Sequence, residues 1–96
     1  MKGKHFYVYI LNCSDGSYYT GLTSSLETRM KEHNAGRGTQ YTSVRLPVRL
    51  VYTEQFRARW QAERREHQLK SWSRLKKDAL ISGDLECLKE LSKGRD

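Results

Sequence analysis

An α+β fold is predicted by three features of this 96-residue sequence. It is a small three-stranded antiparallel sheet flanked by helices, in the order β-β-α-β-α-α with room for a short C-terminal helix. Phe6 to Leu11 is an unbroken run of aromatic and β-branched or aliphatic residues, the composition of a strand. Ser14-Asp15-Gly16 supplies turn chemistry between that run and a second one, Ser17 to Leu22. Downstream, apolar residues recur at helical spacing between recognisable caps and glycine stops. Ninety-six residues make one domain, 1–96, with a core over about 5–82 and a helical extension over 83–96.

The first strand is apolar throughout, so both of its faces should be covered. Loop length fixes the hairpin register. A two-residue Asp-Gly turn would put Tyr9 and Tyr19 on opposite faces of the sheet. A three-residue loop with Gly16 left-handed pairs positions summing to 30, so Tyr9 faces Gly21, Leu11 faces Tyr19, and all four share a face. The three-residue loop is the expectation.

Ser24 is expected to cap the next helix, with Glu27 completing a capping box. Leu26, Met30 and His33 form its stripe, and Gly36 is its left-handed stop. Residues 36 to 46 read as a basic, glycine-bearing loop. A third strand covers Val48 to Thr53. A long helix runs from about Arg57 to Trp72, with Ala58, Ala62 and Leu69 on its apolar side. Ser73 caps a short helix stopped at Gly83, and Asp84 caps a last one holding Leu85, Leu88 and Leu91.

The chain is 36% hydrophobic and 30% charged with one proline, a balance that permits a core and does not suggest disorder. Its formal charge of +7 attracts polyanions. Cys13 and Cys87 are too few for a disulfide scaffold and have no ligand-spaced neighbours, which suits reduced thiols and a cytoplasmic protein. No run has the length of a signal segment or a membrane span. The expected partner is nucleic acid, DNA before RNA, with no membrane and no obligate protein partner.

Three features stand out chemically. Glu66 lies on the stripe between Ala62 and Leu69, where a carboxylate is costly unless paired. It reads either as a salt-bridge residue to Arg65, Lys70 or a neighbouring helix, or as a metal ligand or acid–base group. Tyr7, Tyr9, Tyr18 and Tyr19 crowd one hairpin, as core residues or as site residues. Arg29 and His33 stand one helical turn apart, a phosphate-clamping fork beside a group that exchanges protons near neutrality.

Together these residues resemble the GIY-YIG nucleases. Tyr7-Val8-Tyr9 and Tyr19-Thr20-Gly21 are similar to the paired tripeptides that name that family. Arg29 falls where the family keeps its helix arginine, and His33 where relatives often show histidine or tyrosine. Ala62-Glu63-Arg64-Arg65-Glu66 is similar to the segment ending in the family's metal-binding glutamate. Tyr-Thr-Gly-Leu-Thr, Glu-His-Asn, Gln-Tyr-Thr and Leu-Lys-Ser-Trp-Ser-Arg resemble its compact, single-domain bacterial YhbQ-like branch. The likeness covers roughly residues 5 to 82. Leu22 stands where some family nucleases carry a lysine.

The resemblance implies a divalent-metal-dependent endonuclease that hydrolyses phosphodiester bonds in DNA or structured nucleic acid. Its catalytic residues would be Tyr9, Tyr19, Arg29, His33 and Glu66. Glu66 would hold one Mg²⁺ or Mn²⁺, Arg29 would neutralise phosphate charge, one of the two tyrosines would take the proton of water, and His33 would support or relay it. Arg37, Arg45, Arg49, Arg64, Arg65, Lys70, Arg74, Lys76 and Lys77 would contact phosphates, and Tyr41 would stack on a base. The alternatives are a catalytically weak or inactive nucleic-acid-binding module of the same fold, and a structural accessory of an RNA assembly.

Overall fold

The computed structural model describes residues 4–94. The expected single unit of 1–96 therefore extends, at 1–3 and 95–96, outside the described residues. The elements are β1 (Phe6–Asn12), β2 (Tyr18–Thr23), α1 (Leu26–Asn34), α2 (Gln40–Ser43), β3 (Arg49–Phe56), α3 (Arg59–Lys70), α4 (Arg74–Ser82) and α5 (Leu85–Gly94). The sheet is antiparallel with order β2-β1-β3, so the most apolar strand is central. This is the expected α+β arrangement.

The hairpin has the three-residue loop. Gly16 takes φ 86°, and its N–H donates to the Cys13 carbonyl at 2.9 Å. The Asp15 carboxylate accepts from the Ser17 hydroxyl at 2.6 Å and from the Ser17 amide at 3.0 Å. Tyr9 pairs with Gly21 and Leu11 with Tyr19, so both tyrosines project to one side. The even positions Val8 and Ile10 meet Ala62 and Leu69 of α3. The odd positions Tyr9, Leu11 and Cys13 meet Val48, Leu26 and Met30. A central strand covered on both faces is the reason for its continuous apolarity.

Local readings shift in four places. The cap of α1 is Ser25, whose Oγ accepts from the Thr28 amide, because the Thr23 hydroxyl takes the Ser25 amide at 3.1 Å and leaves Ser24 in the turn. The basic loop contains α2, capped by Thr39 through a reciprocal box with Thr42. β3 begins one residue later than expected and continues to Phe56, while α3 is shorter, from Arg59 to Lys70. As expected, Ser73 caps α4, Gly83 ends it at φ 76°, and the Asp84 carboxylate accepts from the Cys87 amide at 3.0 Å at the start of α5.

Candidate active site

On the odd face of the hairpin the phenol of Tyr9 lies directly across Gly21. A Cβ at residue 21 would overlap that ring and stand 3.0 Å from Tyr19 Cε2, so only glycine fits between the two tyrosines. The rings of Tyr9 and Tyr19 are 6.4 Å apart, and each meets the His33 ring edge-on, at 5.8 Å and 5.5 Å. α1 delivers Arg29 and His33 to this cluster, since its i and i+4 positions share a face.

The polar contacts run in one line. Arg29 Nε donates to Tyr9 Oη at 3.3 Å, and Tyr9 Oη lies 2.9 Å from His33 Nε2. His33 Nδ1 lies 2.9 Å from Thr42 Oγ1, whose hydroxyl donates to the Thr39 carbonyl at 3.3 Å. With the Thr42 hydroxyl directed to that carbonyl, Nδ1–H donates to Thr42; with it directed to the ring, Nδ1 accepts. In the first arrangement Nε2 of the neutral ring is the acceptor for the Tyr9 hydroxyl. Gly38 brings the loop against this histidine; a Cβ there would stand 2.7 Å from His33 Cε1.

Burial sets the charge states. It pushes the Tyr9 phenol above its ordinary value, and the hydrogen bond and charge of Arg29 offset this only in part. Burial, then Arg29, holds His33 below its ordinary value, which keeps the ring neutral near pH 7. The sign for stability follows. Below about pH 6.5 the unfolded histidine binds a proton that the folded one resists, so His33 removes stability as pH falls through that range. We expect the melting temperature of the wild type to drop more steeply between about pH 6.5 and 5 than that of His33→Gln. Parallel curves would contradict a neutral, buried imidazole.

Glu66 stands on α3 between the buried Ala62 and Leu69 but is itself only partly buried. Its side chain is 22% exposed and pairs with Lys70 Nζ at 3.1 Å, one of the salt bridges the sequence suggested. It is also near enough for its charge to oppose ionisation of Tyr9. Tyr9 thus touches Tyr19, Arg29 and His33, with Glu66 in electrostatic range.

The proposed phosphate contacts divide. Arg37 and Arg49 are exposed, and Lys70 and Lys77 line a pocket beside Tyr19. Lys76 is a correction: it is 3% exposed, with its ammonium 4.4 Å from the centre of the Trp72 ring, because α4 turns this position inward with Ala79. Arg74 ties down the hairpin by donating to the Gly16 carbonyl and lying 4.2 Å over Tyr18. Arg45 bonds Asp15 at 3.0 Å and covers the Tyr41 ring at 3.8 Å. Tyr41 in turn stacks on Tyr19 and donates to Ser17 Oγ at 2.7 Å while remaining 38% exposed. Arg65 is held by Glu54 at 2.9 Å. Gly21 stands opposite Tyr9 as expected, whereas Gly38, Thr39 and Thr42 were not anticipated as site builders. The Thr39-to-Thr42 capping pattern was the available signal.

Residues 5–78 match the GIY-YIG catalytic domain model. The chain belongs to the GIY-YIG family. A UPF0213 protein of Natronomonas pharaonis is 49% identical over 78 residues, covering 81% of this chain and 92% of the relative. One from Staphylococcus saprophyticus is 49% identical over 79 residues, covering 82% and 95%. The solution NMR structure of a UPF0213 protein from Bacillus halodurans is similar at 47% identity and TM-score 0.55, covering 81% of this chain and 83% of that one. A solution NMR structure from E. faecalis is similar at 39% identity and TM-score 0.59, covering 86% and 90%. The relatives of this GIY-YIG chain lie in bacteria and archaea, consistent with the expected compact single-domain branch. Among the described residues, no helix is long and apolar enough to cross a membrane.

Proposed function

We propose that this GIY-YIG chain is a divalent-metal-dependent endonuclease that hydrolyses phosphodiester bonds in DNA. The observation that carries the reading is the convergence of Tyr9, Arg29 and His33 in one hydrogen-bonded line, with the Tyr19 ring packed against Tyr9 and His33 and Glu66 in electrostatic range.

The donor set suits a hard cation of low protein coordination. Glu66 is a half-buried carboxylate, and the described residues hold no group of three or more His, Cys, Asp or Glu able to cage an ion. Mg²⁺ binds in this manner, through one or two carboxylates, with water and substrate phosphate completing its shell. When bound, it supplies polarisation of the phosphate and charge neutralisation at the departing oxygen.

The remaining roles follow from the side chains. Arg29 commits Nε to Tyr9 and Nη1 to Glu32 at 3.0 Å; its side chain remains 28% exposed, leaving Nη2 for a phosphate oxygen. Tyr9 is 1% exposed, and its hydroxyl is shared between Arg29 and His33, so it orients the cluster. Tyr19 is half-buried at the rim and is the phenol able to reach the attacking water. His33, neutral and hydrogen-bonded through Nε2 to the Tyr9 hydroxyl, holds that phenol in place beside Arg29.

The test is cleavage of single-stranded, duplex, flap and junction DNA with Mg²⁺ or Mn²⁺ against chelator. Metal-dependent cutting of at least one substrate is expected; binding of all with cutting of none would make the chain a binding module. Affinity should also fall steeply with salt. Each phosphate neutralised contributes about 0.9 to the slope of log K against log salt on duplex DNA. Replacing Arg37, Arg49 and Lys77 together should lower that slope by about 2–3 without unfolding the protein, since none of the three is part of the buried core. An unchanged slope would place the binding face elsewhere.

A further inference from the structure

Beside Tyr19, a pocket of about 260 Å³ is lined by Tyr18, Tyr19, Thr20, Tyr41, Lys70 and Lys77. Two features of it are costly for an empty structural cleft. Thr20 is 4% exposed, and its hydroxyl has no hydrogen-bond partner. Lys77 is half-buried, and among the described residues it forms no ion pair; its neighbour in charge is Lys70, which repels it. A buried hydroxyl without a partner is destabilising unless something binds it, and a half-buried lysine facing a second lysine gains from an anion between them. The nearby carboxylates are already taken. Asp78 accepts from Tyr18 and lies 3.8 Å from Arg74, and Glu66 pairs with Lys70.

We propose that this pocket is a phosphate subsite, in which Lys77, Lys70 and the Thr20 hydroxyl hold a phosphate of the nucleic-acid strand next to the one being cut. The proposal rests on the phosphodiesterase reading for its substrate, but the anion chemistry stands on the pocket itself. Its place follows from two shared residues. Tyr19 lines the pocket and touches His33 of the cluster, and Lys70 lines the pocket and pairs with Glu66. A phosphate seated here would anchor the strand while its neighbour lies against Arg29 and Glu66. Burial and the repulsion from Lys70 bring Lys77 below its ordinary value, which an arriving anion would relieve.

The experiment is an NMR titration of the full chain with inorganic phosphate, repeated on Lys77→Gln and Thr20→Val. Oligonucleotide KM and kcat are measured on the same preparations. Expected is saturable perturbation of Tyr19, Thr20 and Lys77 resonances in the wild type. Lys77→Gln should weaken phosphate binding about tenfold or more, and Thr20→Val several-fold while folding at least as well as the wild type. The oligonucleotide defect should fall on KM. Perturbation confined to Arg29 and His33, or undiminished phosphate binding in both variants, would overturn the subsite. Phosphate binding that behaves as expected in a protein that cuts nothing would support the subsite and reject the endonuclease. Cleavage with no phosphate response at the pocket would do the reverse.

Discussion

Glu66→Gln should abolish cleavage while leaving the protein folded and able to bind nucleic acid. The substitution keeps the size and polarity of the side chain and removes the charge that would hold the ion. A bound metal contributes several kcal/mol of transition-state stabilisation, and each ~1.4 kcal/mol is tenfold in rate, so a loss of at least about a hundredfold is expected. Stability should hardly move. The partner, Lys70, is half exposed at 53%, and ion pairs of this kind contribute about 0–1 kcal/mol. Binding should persist or tighten, because a negative charge near the phosphates is gone. Thermal melting and Mg²⁺-dependent nicking on the same preparations separate the two roles the sequence left open for Glu66. A destabilised but fully active variant would make it a structural salt-bridge residue.

Arg29→Gln should lower kcat by roughly 10²–10³, the usual cost of removing one preorganised donor to a developing oxyanion. Its second signature is electrostatic. Arg29 opposes protonation of His33 and favours ionisation of Tyr9, so its removal should raise the histidine titration and push the phenol higher still. An NMR titration of the His33 ring should therefore move upward in the variant. Unmoved His33 with full activity would mean that Arg29 serves only its ion pair with Glu32, 3.0 Å away.

The parts of this architecture that are local in sequence were legible there. Asp15 and Gly16 dictate the hairpin loop, and the loop dictates that Tyr9 and Tyr19 share a face. Helical periodicity placed Arg29 and His33 together and set Glu66 between Ala62 and Leu69. Three things required the fold. The four-residue α2 is too short to show periodicity, so the support Thr42 gives His33 was hidden. Arg45 and Arg74 look like surface cations, yet they tie the hairpin loop to α2 and α4 through partners about 30 and 58 positions away. Lys76 looks exposed by its charge, but its long stem runs inward and sets the ammonium against Trp72. Charge composition speaks to the whole surface and cannot sort which cations face out.

The central claim is that residues from separate elements form one catalytic centre. Single-turnover cleavage by the wild type, Arg29→Gln, Glu66→Gln and the double variant, at matched folded concentrations, tests it most directly. Residues acting as a unit are strongly non-additive. The double variant should therefore be no slower than the slower single variant by more than a few-fold. Losses that multiply in full would show two independent contributions, and wild-type rates in either single variant would contradict the assignment of the site.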